Sequence, residues 1–161
     1  MQKLTQKYVL AYIINNFPNG YEYSAEDWPL HVTLADVFAI DGDPKDLING
    51  LTKRLSSRQQ VESKIVGEEW FGQDKGVHVS LLDRTEELQE LHETLLKVLS
   101  NYDVKFNNPE YINEGFRPHS TIQKNERFEI NDIVTLDSVT LIDMFPNEDP
   151  YRRKILSTIY F

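Results

Sequence analysis

The 161-residue sequence contains no cysteine. That excludes disulfides, a thiolate nucleophile, iron–sulfur clusters and thiolate zinc sites. It accords with a reducing compartment, and a cytoplasmic location is the expectation. Cationic residues are in deficit: 17 Lys and Arg stand against 26 Asp and Glu, for a net charge of −9. Long nucleic acid is held by clustered cations that displace counterions, so no groove for it is expected. A single phosphate held by a few local groups is not excluded by this balance. Long apolar runs are missing as well. The run Tyr8-Val-Leu-Ala-Tyr-Ile-Ile14 has seven residues, whereas a spanning helix needs about 20. It is also too short for a secretory signal. A soluble chain without a membrane partner is expected, and a monomer. No glycine-rich phosphate loop, linker or low-complexity tract interrupts the chain, so residues 1–161 read as one domain.

What is present is a mixture of strands and two helices. The aromatic and β-branched run at 8–14 predicts a buried strand that ends at the turn Asn15–Gly20. Ser24 to Asp27 has the composition of one capped helical turn. Strands are predicted over 30–40, 61–71 and 77–82, the first ending at Asp41-Gly42 and the last two joined by Gly72–Gly76. In the 61–71 strand, Ile65, Val66, Trp70 and Phe71 supply the bulk. Asp43 followed by Pro44 opens a helix over 44–57, with Leu47, Ile48, Leu51 and Leu55 on one face. Thr85 caps a second helix with Glu86 and Glu87 at its positive end and a stripe of Leu88, Leu91, Leu95 and Leu99. His92 lies beside that stripe and is expected at the surface. A loop at 107–109 leads to a strand over 119–124, and 134–145 with 154–161 read as a closing pair. Strands and helices without regular alternation predict an α+β fold with largely antiparallel sheets.

The chemistry is concentrated in one short pattern that occurs twice. Pro29-Leu30-His31-Val32-Thr33-Leu34 and Arg117-Pro118-His119-Ser120-Thr121-Ile122 each place Thr two residues after His, with a proline upstream. On a strand, side chains alternate faces, so His31 and Thr33 share one surface, as do His119 and Thr121. Two such strands facing one cleft make a phosphoester site. The hydroxyls donate to phosphate oxygens, one imidazole accepts a proton, and the other supplies one. An ordinary His pKa of about 6.5 makes both forms accessible near neutrality. This chemistry calls for no metal and no cofactor. Threonine is scarce, nine residues in all, so two of four histidines carrying it at the same offset is a selective signal. A third, imperfect copy, His78-Val79-Ser80-Leu81, lacks the upstream proline and competes for the second place. Arg117 and Lys124 are further phosphate contacts in reach, and Phe116 and Tyr111 are candidates to stack on a base.

The paired motifs resemble the His-x-Thr-x signature of the two-histidine (2H) phosphoesterase superfamily, which includes RNA 2′-5′ ligase-like proteins and 2′,3′-cyclic nucleotide phosphodiesterases. His119 follows His31 by 88 residues, a separation typical of that group. The order of elements also resembles it: strand, motif, helix, two strands, helix, motif, closing strands. The resemblance implies a bilobal fold with pseudo-twofold symmetry, a central cleft carrying one motif per lobe, and helices outside. It implies His31 and His119 as catalytic residues, with the second His as base and the first as acid. Thr33 and Thr121 would then bind phosphate. The implied reaction is hydrolysis of a 2′,3′-cyclic phosphate on a small nucleotide or an RNA end. Two further readings are 2′-5′ phosphodiester cleavage or ligation at the same site and a non-catalytic module for phosphate or RNA ends. The sequence departs from the family pattern in having Gln123-Lys124 where an arginine is common, and Lys124 lacks the bidentate fork of that residue.

Overall fold

The computed structural model describes residues 6–161; residues 1–5, and with them the first part of the expected single unit, lie outside the described residues. Ten strands and two α-helices are found among the described residues: β1 (Tyr8–Ile13), β2 (Glu22–Ser24), β3 (His31–Ala39), α1 (Pro44–Leu55), β4 (Val61–Phe71), β5 (Val77–Leu82), α2 (Glu86–Leu99), β6 (Lys105–Phe106), β7 (His119–Thr121), β8 (Ile133–Leu136), β9 (Ser138–Asp143) and β10 (Arg152–Tyr160). They form a six-stranded sheet in the order β2-β10-β9-β1-β3-β6 and a four-stranded sheet in the order β7-β5-β4-β8. All pairings within them are antiparallel. This is the expected α+β fold.

The unbroken apolar run of β1 follows from its place. Strand β1 lies between β9 and β3, and both of its faces are covered. Tyr8 and Leu10 belong to the main core under the helices, together with Val32 and Leu34 of β3 and the Leu stripe of α2. Val9, Ala11 and Ile13 enter a second cluster on the other face with Tyr23, Ile142 and Ile155, against which Phe17 and Trp28 pack. A strand buried on one face alternates polar and apolar residues; one buried on both does not.

The helices begin where their caps predict. The Asp43 side chain accepts from the Lys45 N–H at 2.9 Å, and that of Thr85 accepts from the Leu88 N–H at 3.1 Å. Leu47, Leu51 and Leu55 of α1 and Leu88, Leu91, Leu95 and Leu99 of α2 are fully buried. Helix α2 touches both β3 and β4, so one apolar stripe ties the two sheets together.

Four sequence expectations are corrected. Residues 24–27 form a hydrogen-bonded turn, with the Ser24 hydroxyl accepting from Glu26 N–H, and no helix follows because Trp28 precedes a proline. The run 134–145 is two strands: β8 pairs with β4 in the small sheet, and only β9 pairs with β10. The chain thus crosses from one sheet to the other at Asp137. Strand β7 stops at Thr121. Val66 and Trp70 are more than half exposed, because they fall on the even-numbered positions of β4, which alternate with the buried Val61, Ser63 and Ile65.

The loop before β7 is held tightly. Arg84 donates to the Glu114 and Asn113 carbonyls at 2.8 and 3.2 Å, and Gln89 donates to Asn113 O at 2.8 Å. Within the loop, a Cβ at Gly115 would stand 1.9 Å from the Glu110 carbonyl oxygen. Gly115→Ala is therefore expected to cost about 1–3 kcal/mol through overpacking against rigid backbone. A melting curve that matches the wild type would refute this.

Candidate active site

Each motif opens its strand and repeats one local structure. His31 is the first residue of β3 and His119 the first of β7. The Nδ1–H of His31 donates to the Pro29 carbonyl at 2.8 Å, and that of His119 to the Arg117 carbonyl at 2.7 Å. A carbonyl has no proton to give, so Nδ1 carries it in both rings, and Nε2 is the nitrogen open to chemistry. An aromatic ring abuts each imidazole. Trp28 lies against His31 at 4.6 Å between centroids, tilted by 31°, and Phe71 meets His119 at 4.7 Å in a T-shaped contact.

Strand β3 of the large sheet and β7 of the small one are neighbours across a cavity of about 670 Å³. Thr33 and His119 line it; His31 and Thr121 are not on its wall, but His31 is near enough to His119 to feel its charge. His31 precedes Thr33 by two residues on the same face of β3, opposite Ile13 and Ala11, while Val32 and Leu34 are fully buried on the other face. Thr121 lies on the His119 face of β7, opposite Val79 of β5. Burial pushes the pKa of both imidazoles below the ordinary His value. At His31 the backbone hydrogen bond opposes this and the charge of His119 adds to it. At His119 the backbone hydrogen bond also opposes it, the Arg117 guanidinium lowers the value further, and the Asp36 carboxylate raises it.

Strand register decides between the rival second motifs. His119 stands opposite Leu81, and Thr121 opposite Val79, so cleft-facing positions on β5 are odd-numbered. His78 and Ser80 point to the opposite face. There His78 stacks on Trp70 at 4.3 Å, its Nε2 lies 2.8 Å from Glu68 Oε1, and the Ser80 hydroxyl donates to the Phe128 carbonyl. The third copy therefore builds the back of the small sheet.

The remaining candidates are divided. Arg117 lies on the cavity wall, where it is ion-paired with Glu69 and its guanidinium covers the Phe71 ring at 4.8 Å. Tyr111 is also on that wall and is more than half exposed. Phe116 borders the cavity, but its ring is buried and stacks face to face on His92 at 4.0 Å, so it packs the wall and offers no free face to a base. Lys124 is exposed in the turn beyond β7 and does not line the cavity. Among the described residues, no three His, Asp or Glu side chains gather as a metal site, and no helix is long and apolar enough to cross a membrane.

Two residues escape a reading by alternation. His92 is fully buried: its Nδ1–H donates to the Leu34 carbonyl at 2.6 Å, and its Nε2 accepts from the Asn113 N–H at 2.9 Å. The surface placement expected from its flank of the helix is wrong, because the loop at 109–116 closes over that flank. Asp36 lines the cavity. Strict alternation from Thr33 sends Ala35 into the cleft and Asp36 into the core. In the structure Thr33 pairs with Ala11 but Ala35 pairs with Leu10, so Leu34 is an extra residue, and the bulge returns Asp36 to the Thr33 face.

Comparison with known proteins agrees with this architecture. The family model described as the 2′-5′ RNA ligase superfamily matches residues 9–135. Among solved structures, one titled a phosphoesterase superposes with a TM-score of 0.60 at 16% identity, covering 97% of this chain and 98% of that one. The LigT of E. coli complexed with 3′-AMP gives 0.59 at 16% identity, with coverages of 97% and 98%. Its complex with NADP+ gives 0.57 at 15% identity, with 97% of each chain covered. A search of curated protein sequences finds no match. With two antiparallel sheets like those of LigT and a family match over most of its length, the chain belongs to the 2′-5′ RNA ligase superfamily of two-histidine phosphoesterases.

Proposed function

We propose that this chain is a metal-independent phosphodiesterase that opens a 2′,3′-cyclic phosphate on a nucleotide or RNA end. The superfamily supports phosphoesterase or ligase-like activity in general. The narrower reading rests on one observation: two identically pinned imidazoles, near enough that the charge of His119 lowers the pKa of His31, each have a threonine two residues on, and His119 and Thr33 line one cavity. LigT is seen with 3′-AMP and with phosphate, which supports a phosphate-bearing ribonucleotide as the ligand class.

In this reading His119 Nε2 takes a proton from water as the water oxygen bonds to phosphorus. The bond from phosphorus to the ribose 3′-oxygen breaks, and His31 Nε2–H protonates that oxygen, leaving a 2′-monophosphate. The Arg117 charge beside His119 favours the neutral form that a base needs. The face of Trp28 against His31 favours a cationic acid. Thr33 and Thr121 donate to the non-bridging oxygens that gain charge in the transition state.

The test is hydrolysis of adenosine 2′,3′-cyclic monophosphate in excess chelator, with the product identified by phosphorus NMR. A 2′-monophosphate is expected. Thr33→Val should lower kcat/KM by about tenfold to a hundredfold, the worth of one hydrogen bond to a charged group. No turnover at any pH from 5 to 9 would overturn the reading in favour of a binding module. The family model's description favours one second reading, cleavage or joining of a 2′-5′ linkage at the same site. Preferential turnover of a 2′-5′-linked dinucleotide would select it.

A further inference from the structure

A phosphate site is an unexpected place for a carboxylate, yet the bulge at Leu34 turns Asp36 into the cleft. Its Oδ2 accepts from Asn108 Nδ2 at 3.3 Å, which fixes its direction. The other charged groups on the cavity wall are Glu69, Arg117 and Lys75. Glu69 and Arg117 neutralise each other in their ion pair, whereas no ion pair of Asp36 occurs among the described residues. The field of Asp36 reaches His119, whose pKa it raises, and so it also reaches a phosphate bound beside that ring.

We propose that Asp36 is a specificity-determining residue that makes the cleft retain a singly charged phosphodiester and expel a doubly charged phosphomonoester. The inference rests on the cyclic-phosphate reading above. A cyclic diester carries one negative charge at any working pH. Hydrolysis adds a second ionisable oxygen with a pKa near 6, so the product is mostly a dianion above neutrality. A fixed anion in a partly desolvated cleft repels the second charge as it repels the first. The imidazolium and the hydroxyls compensate for the first; among the described residues the one other unpaired cation on the wall, Lys75, is exposed in the turn between β4 and β5, where water and salt screen it. Asp36 thus weakens the product relative to the substrate, which speeds release and limits product inhibition. Asn108 acts as a positioning residue that aims the carboxylate.

The experiment compares wild type, Asp36→Asn and Asp36→Glu with adenosine 2′,3′-cyclic monophosphate as substrate and adenosine 2′-monophosphate as inhibitor. The readout is the ratio of inhibition constant to KM. At pH 8 this ratio should fall about fivefold to tenfold in Asp36→Asn, roughly one charge's influence across a cleft. It should stay near wild type in Asp36→Glu, which keeps the charge. At pH 5 the monoester is itself a monoanion, and the ratios of wild type and Asp36→Asn should converge. An unchanged ratio at pH 8 with normal turnover overturns the role of Asp36 alone. Absence of wild-type turnover overturns the cyclic-phosphate reading. In that event calorimetric binding of adenosine 2′-monophosphate at pH 8 still reads the charge, and equal affinity in wild type and Asp36→Asn overturns the inference.

Discussion

His31→Ala and His119→Ala should each lower kcat for cyclic phosphate hydrolysis by about a thousandfold, within the 10²–10⁴ that a positioned general acid or base contributes. The double variant should be little worse than either single one, because acid and base act in one concerted unit. Both variants should fold, since each ring's hydrogen bond is only to its own chain two residues back. The pH dependence supplies an independent check. In the free enzyme both pKa values lie below the ordinary His value, chiefly through burial. The base must be neutral, so kcat/KM rises with pH through one lowered pKa. The acid must be protonated, so it falls through the other. The bell should therefore centre on the acid side of about 6.5, the unperturbed value. A maximum at pH 8, or turnover retained in both alanine variants, would refute the assignment. His78→Ala should leave the rate nearly unchanged, because register turns that ring to the back of the sheet.

The sequence reads well wherever one rule governs one element. Capping and Leu spacing fix both helices, since Asp43, Thr85 and the buried leucines follow local geometry. The His-x-Thr pairs are legible because strand alternation holds over three residues. It fails where a strand carries an extra residue. The bulge at Leu34 shifts the parity beyond it, and so Asp36 is misplaced by a strict period of two, whereas Trp70 is exposed as that period requires once Val61 and Ile65 face the core. No local signal in the sequence marks that bulge. The split of 134–145 between two sheets is likewise set by tertiary pairing, not by propensity. His92 is hidden for a third reason. A helix flank is solvent-facing until a distant loop covers it, and the covering residues, Asn113 and Phe116, are about two dozen positions away in the chain.

That covered histidine carries the largest expected effect on stability. Through α2, His92 joins β3, which carries the first motif, to the loop that leads to the second. Its Nδ1–H holds the carbonyl of Leu34, the bulge residue beside Thr33, and its Nε2 holds the N–H of Asn113 in the loop that leads to His119. Its ring stacks on Phe116, three residues before His119. His92→Leu keeps the apolar bulk and removes both hydrogen bonds. Each buried group left without a partner costs about 1–3 kcal/mol. For a domain of this size each kcal/mol lowers Tm by about 2–4 °C, so a fall of about 10 °C is expected at pH 7.5. Activity should fall too, through the lost placement of Leu34 and Asn113. The acid response follows from the same bonds. Burial lowers the His92 pKa in the folded state, so the unfolded chain takes up a proton first as pH drops. Stability from neutral His92 is complete above about 6.5, the unfolded value, and is lost as pH falls from there toward the folded pKa. Protonating Nε2 breaks the bond from Asn113, so at pH 5 the wild type has itself lost part of what His92→Leu removes. The gap in Tm between the two proteins should narrow from pH 7.5 to pH 5. A gap that is constant or widens over that range would mean that His92 is not held as a neutral acceptor between the two motifs.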